Sequence, residues 1–128
     1  MSNRGDLASR ADIERLVDTF YDRVGADDLL GPIFNDVAKV DWSRHLPTMY
    51  AFWEGILFGT GGYKGNPLET HRTLARLTPL TPREFDRWLA LFHQCVDELF
   101  AGPVAADAKR RAANIAATLQ YHAGTARA

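Results

Sequence analysis

Apolar residues recur every three or four positions in several stretches of the chain, which is the spacing of one helix face. Between the first two stretches, the Gly31-Pro32 pair interrupts helix continuity in a turn-rich segment. No stretch alternates apolar and polar residues in the manner of a strand. The pattern therefore predicts an all-α domain of five or six helices, the main ones covering residues 10–24, 41–59, 66–77, 82–100 and about 104–123.

Two of the predicted helices begin with the same capping signal. Asn66 and Thr81 are each followed at once by proline and, three positions later, by glutamate. This order places a side-chain acceptor at the cap, proline in the first turn and a carboxylate that can bond back to the cap. The four glycines from Gly59 to Gly65 lack the ending of a phosphate-binding loop, so we predict a turn between helices there.

His71 lies about one turn into the predicted helix that begins at Asn66. Leu68, Leu74 and Leu77 surround it at helical spacing, so its ring should face apolar neighbours. Two explanations fit an imidazole in such a setting. It is either a core histidine with one nitrogen bonded, or a ligand to a metal or haem iron.

Three other helices each carry a polar ring on an otherwise apolar face: Tyr21, His45 and Trp88. Taken alone, Tyr21 could bond a backbone carbonyl, and His45 could be a surface or capping histidine. Pro47 leads us to expect an irregular or easily distorted backbone near His45. An apolar all-α pocket with one histidine on one side and neutral donors on the opposite side has the features of a haem site.

Bulk properties exclude several classes of function. The chain has 128 residues and a net charge of −1, which gives no electrostatic basis for binding nucleic acid or an anionic membrane. Cys95 is the only cysteine, so no internal disulfide can form and a reducing, cytoplasmic location is expected. The N-terminal residues lack the apolar core of a signal peptide, and no apolar run reaches the length of a membrane span.

Three segments of the chain resemble a bacterial globin family in their order and spacing. The segments are FYDRV…LLGPIF, WSRH…FWEGILFGTGGYKGNPLETH and FDRWLALF, and the match extends from about Ile13 to Tyr121. Together they look like a group III truncated haemoglobin. The resemblance implies a two-over-two helical sandwich around haem b, formed by residues 10–124, with residues 1–9 as a flexible N-terminus. No CxxCH sequence is present, so the haem would be held without thioether links.

The resemblance also implies a role for each candidate residue. His71 would be the proximal iron ligand, Tyr21 and Trp88 the distal hydrogen-bond donors, and His45 a residue that lines or gates the distal side. Apolar residues would pack around the porphyrin, and polar residues at the pocket edge would meet the propionates unless they are simply solvated. The first group is Phe20, Met49, Phe52 and Trp53, and the second is Tyr63, Lys64 and Arg72.

The sequence leaves three functions open. One is reversible binding of O2, CO, NO or other small haem ligands. A second is haem enzyme activity, either peroxidase-like or as an NO dioxygenase. With no fused reductase domain expected, sustained NO turnover would need an external reductase. A third is an all-α regulatory module that binds a partner and no haem. A further role for His45, as a direct iron ligand when no gas is bound, also stays open.

Overall fold

All regular secondary structure in the described part of the chain is helical. The computed structural model describes residues 4–60, 78 and 80–127, with side chains as far as residue 121. None of the helices in these ranges is both long and apolar enough to cross a membrane. The prediction of an all-α domain is confirmed, whereas the predicted helix from Asn66 lies outside the described residues. The elements are α1 (Arg10–Ala26), a π-helical turn (Ile33–Val37), α2 (Trp42–Phe58), α3 (Pro82–Leu99) and α4 (Pro103–Arg127).

The helix starts follow from local capping. Thr81 and Glu84 form the predicted reciprocal cap of α3, with the Thr81 N–H donating to Glu84 Oε1 at 2.7 Å and Pro82 in the first position. Asp41 caps α2 by accepting from the Ser43 N–H at 3.1 Å. Helix α2 continues through Pro47, so the proline does not interrupt the helix near His45.

Helix α1 is the centre of the described fold. It packs on α2 and on α3, and α3 packs along α4. The inner face of α4 carries alanines, whose small side chains let the backbones approach closely. The core between these helices is built mainly from the apolar face of α1 and the aromatic face of α3, and it includes Ile13, Leu16, Val17, Phe20, Val24, Phe92, Val96 and Ala108.

The segment before α1 is anchored to the other end of the fold. Asp6 accepts from the N–H groups of Val104 and Ala105 at 2.9 and 2.8 Å, and so caps α4. Burial alone raises the pKa of Asp6, but these backbone donors outweigh it and lower the pKa. Leu7 is only 2% exposed. A cap and a buried leucine thus attach residues 6 and 7 to the fold, within the segment for which the sequence predicts a flexible N-terminus.

The turn after α1 depends on a close backbone approach at Gly31. A Cβ built on this residue would lie 2.7 Å from the carbonyl oxygen of Gly25, near the end of α1. The π-helical turn follows directly, closed by a 2.8 Å hydrogen bond from the Ala38 N–H to the Ile33 carbonyl. π-helical turns are rare and are frequent at functional sites. Here the turn carries Phe34 and Asn35, and Gly31 determines how closely it lies against α1.

We expect Gly31→Ala to lower the free energy of unfolding by about 1–3 kcal/mol, the usual cost of overpacking, because its methyl group meets backbone rather than a flexible side chain. Gly25→Ala is the matched control, since a Cβ there has nothing within 4 Å. Because alanine is favoured over glycine inside a helix, Gly25→Ala should raise the free energy of unfolding by about 0.5–1 kcal/mol. Urea unfolding followed by circular dichroism measures both, and equal effects of the two variants would contradict the role of Gly31.

Candidate ligand pocket

The three polar rings that the sequence predicts on separate helices meet at one end of the described core. Tyr21 comes from α1, His45 from the first turn of α2, and Trp88 from α3. The Tyr21 side chain is 7% exposed, and its ring centroid lies 4.9 Å from that of His45. The Trp88 side chain lies close enough to the Tyr21 hydroxyl to lower its pKa as a hydrogen-bond donor. Tyr21 is therefore the residue that connects the three helices at this site.

The direction of the Tyr21–Trp88 hydrogen bond follows from the donor inventory. An indole N–H can only donate, so Trp88 Nε1 donates and the Tyr21 hydroxyl oxygen accepts. Tyr21 thereby keeps its own proton available for a second acceptor. Burial raises the pKa of the Tyr21 phenol well above its ordinary value, although the bond from Trp88 opposes the shift. The phenol consequently stays neutral and able to donate at physiological pH.

His45 is surrounded by the edges and faces of three aromatic rings. Its ring lies 4.9 Å from Tyr21, 5.6 Å from Trp42 and 6.3 Å from Phe34, measured between centroids. Sequence reasoning did not place Trp42 or Phe34 at the site. The spacing contained a signal for Trp42, which lies three residues before His45 and thus on the same helix face. The position of Phe34 depends on the π-helical turn, for which the sequence has no comparable signal.

Two of the aromatic residues expected around the cofactor lie deeper, in the core behind Tyr21. Phe20 is 1% exposed and contacts both Tyr21 and Trp88 edge-on. Trp53 is 2% exposed and stacks on Phe92 at 4.8 Å, while Phe92 in turn stacks on Trp88 at 5.9 Å. These rings support the pocket from within and leave Tyr21, His45 and Trp88 as its polar end.

One apolar face of α2 is only partly covered by the described fold. Although the helix is rich in apolar residues, Trp53 is its only fully buried side chain. The half-buried residues on this face are spaced three or four positions apart and form an apolar band, which consists of Trp42, Leu46, Met49 and Phe52. A half-buried apolar band beside buried neutral donors suits a flat, largely apolar cofactor with a polar reaction centre.

An ion pair fixes α3 relative to the end of α1. Arg87, next to Trp88, lies 2.6 Å from Asp27, whose side chain is 6% exposed. Asp27 also accepts from the N–H groups of Leu29 and Leu30 at 3.1 and 3.0 Å. Burial raises the pKa of Asp27, but the bonds from Arg87 and the two N–H groups outweigh it and lower the pKa. The pair thus keeps Trp88 at a constant distance from the helix that carries Tyr21.

The remaining candidate residues lie outside the described part of the chain. These are His71, expected to bind iron, and Tyr63, Lys64 and Arg72, expected at the edge of the pocket. The described residues therefore build one wall and the polar end of the pocket.

The chain is similar to known globins in sequence and in structure. The model of the bacterial-like globin family matches residues 6–122. The group 3 truncated hemoglobin ctb of Campylobacter jejuni is 34% identical over 99 residues, which are 74% of this chain and 75% of that protein.

Two solved structures are similar to the whole described arrangement. The crystal structure of the group III truncated hemoglobin from Campylobacter jejuni superposes with a TM-score of 0.80 at 31% identity, covering 92% of this chain and 93% of the other. The structure of Chlamydomonas reinhardtii THB1 gives a TM-score of 0.66 at 29% identity, covering 90% and 89%.

Proposed function

The chain belongs to the group III truncated haemoglobins of the bacterial-like globin family, and we propose that it binds O2 and other diatomic ligands at a haem b held by His71. As a truncated globin it is a haem-binding protein. The absence of a CxxCH sequence supports noncovalent haem b. Neutral imidazole is a common iron ligand, and His71 is the family's proximal histidine by the resemblance of its motif.

The residues of the described pocket fit a haem. The apolar band on α2 can cover part of the porphyrin face, while the buried ring of Tyr21 lies at the polar end. When bound, haem supplies an iron atom that coordinates a diatomic ligand. Every further contribution in this proposal comes from the side chains around it: Tyr21 donates a hydrogen bond, Trp88 orients Tyr21, and His45 controls access.

The observation that carries this proposal is the buried phenol of Tyr21, 7% exposed, whose ring lies 4.9 Å from that of His45 at the polar end of the pocket. Because the phenol oxygen accepts from the indole, its own proton can point at a polarised ligand in the pocket. Hydrogen bonds to charged groups contribute about 1.5–3 kcal/mol, more than neutral pairs. Tyr21 is therefore proposed as the direct distal donor. Trp88, predicted from the resemblance as a second direct donor, is proposed to act through Tyr21.

A haem enzyme is the second candidate, in the form of peroxidase-like or NO dioxygenase activity. The stacked rings of Trp88, Phe92 and Trp53 favour it, since two oxidisable indoles, with Phe92 between them, extend from the pocket into the core. Sustained turnover would require an external reductase as a partner. Autoxidation and peroxide kinetics separate this activity from reversible O2 binding.

A cytoplasmic location is proposed from the state of Cys95. This thiol is fully buried and unpaired by any disulfide, and burial raises its pKa, which keeps it protonated. No electrostatic feature of the composition supports a nucleic acid or membrane partner.

Removal of the Tyr21 donor should accelerate O2 release. In stopped-flow displacement of O2 by CO, we expect Tyr21→Phe to release O2 roughly 10- to 100-fold faster, the equivalent of one charge-assisted hydrogen bond. Trp88→Phe should have a smaller effect, and the double variant should match Tyr21→Phe. Additive effects would show that Trp88 donates to the ligand itself, and an unchanged rate in Tyr21→Phe would contradict the proposed donor.

Removal of the His45 ring should speed ligand entry. In the wild type, where the inward position of His45 is proposed to predominate, the fraction of pockets with His45 outward limits ligand entry. His45→Ala removes this limit and should raise the CO association rate by about tenfold. Flash photolysis measures this rate. His93→Ala is the control, since His93 lies between α3 and α4 with Nε2 3.2 Å from the Lys109 carbonyl. Equal rates in the wild type and His45→Ala would contradict the gate.

A further inference from the structure

The side chain of Asn35 joins the end of α1 to the start of α2. Its Nδ2 donates to the carbonyl of Gly25 at 3.3 Å, and its Oδ1 accepts from Trp42 Nε1 at 3.2 Å. Asn35 lies in the π-helical turn, next to Phe34. One amide group therefore uses both of its ends to hold Trp42 relative to α1.

Trp42 forms part of the wall around His45. Its ring is half-buried, stacks on Phe34 with an interplanar angle of 16°, and meets His45 edge-on with an angle of 82°. Its centroid also lies 5.7 Å from that of Tyr21. His45 is thus enclosed by Tyr21, Phe34 and Trp42, and of these three rings Trp42 is the one whose polar atom is bonded to Asn35.

We propose that Asn35 and Trp42 are a positioning pair that holds His45 in its inward position against Tyr21. Because Trp42 lies one turn before His45 on the same helix face, outward rotation of His45 requires Trp42 to tilt. That tilt stretches the hydrogen bond to Asn35 and separates Trp42 from Phe34. The pair acts through His45, and the inference rests on the proposed function insofar as His45 controls ligand entry.

The expected effect is modest because Asn35 is exposed to solvent. A neutral hydrogen bond of this kind changes a two-state population by about two- to tenfold when it is lost. The population affected here is that of pockets with His45 outward. The Asn35–Trp42 pair therefore adjusts the rate of access without deciding whether the pocket forms.

Chemical modification of His45 tests the pair independently of gas binding. Diethyl pyrocarbonate modifies accessible imidazoles, and tryptic cleavage after Arg44 and Lys64 yields a peptide in which His45 is the sole histidine. Mass spectrometry of this peptide from the haem-loaded protein therefore reports the exposure of that ring alone. The CO association rate, measured on the same samples, reports ligand entry.

We expect Trp42→Phe, which keeps an aromatic ring but lacks the indole N–H, to accelerate His45 modification about two- to tenfold. Asn35→Leu should do the same, and the double variant should be no faster than either single variant. Asn35→Asp keeps the acceptor for Trp42 but loses the donor to the Gly25 carbonyl, so its modification rate should lie between those of the wild type and Asn35→Leu. Asn114→Leu, at an exposed position on α4, is the matched control for the asparagine change.

Two results would overturn the positioning pair. One is an unchanged modification rate in both single variants, and the other is additive acceleration in the double variant, which would mean that Asn35 and Trp42 act separately. Faster modification with an unchanged CO association rate would uphold the pair and contradict only the proposed role of His45 in ligand entry. Retention of the visible spectrum and of helical circular dichroism establishes that the variants are folded.

Discussion

The contact between the Tyr21 and Trp88 side chains, which both pack edge-on against Phe20, constrains the rest of the described fold. The buried phenol of Tyr21 needs a polar partner, and the half-buried indole of Trp88 can supply it only if α1 and α3 keep a fixed separation and rotation. Phe20 and Phe92 fill the space behind them at edge-to-face geometry, with centroids 5.2 Å apart. The ion pair between Asp27 and Arg87 holds the same two helices at the turn after α1. Core packing, an ion pair to the buried carboxylate of Asp27 and a polar contact thus all act on the distance between α1 and α3.

Helix α2 completes the pocket with a different balance of forces. Its attachment to α1 includes two polar contacts: Arg10 pairs with Glu54 at 2.6 Å, and Tyr50 donates a hydrogen bond to Asp18. Its apolar band, in contrast, remains half-buried. A cofactor that covers such a band binds the folded state preferentially and so stabilises it by mass action. In this account haem contributes to the core as well as to ligand binding.

The sequence predicted the elements with strong local signals and missed those that depend on long-range approach. The apolar period located α1 and α3, and the Thr81-Pro82-Glu84 order predicted the start of α3. The π-helical turn could not be predicted, because it arises where Gly31 meets the backbone of Gly25. The sequence has no local signal for the cap formed by Asp6, since its partners, Val104 and Ala105, lie almost a hundred positions away.

The candidate site shows the same division. Tyr21, His45 and Trp88 stood out as polar rings on apolar helix faces, and the structure brings them together. The direction of the bond between Tyr21 and Trp88 and the contacts of Trp42 required coordinates. Asn35 carried no signal of its own, because an asparagine in a turn is ordinary until its two partners are known.

The visible spectrum of the reduced protein with and without CO, compared between wild type and His71→Ala, tests the central claim most directly. The account predicts a Soret band that shifts with CO in the wild type, is lost or altered in His71→Ala, and is restored there by added imidazole. His93→Ala should behave as the wild type does. A wild type that takes up no haem, or a CO-sensitive band that persists unchanged without His71, would contradict the haem site described above.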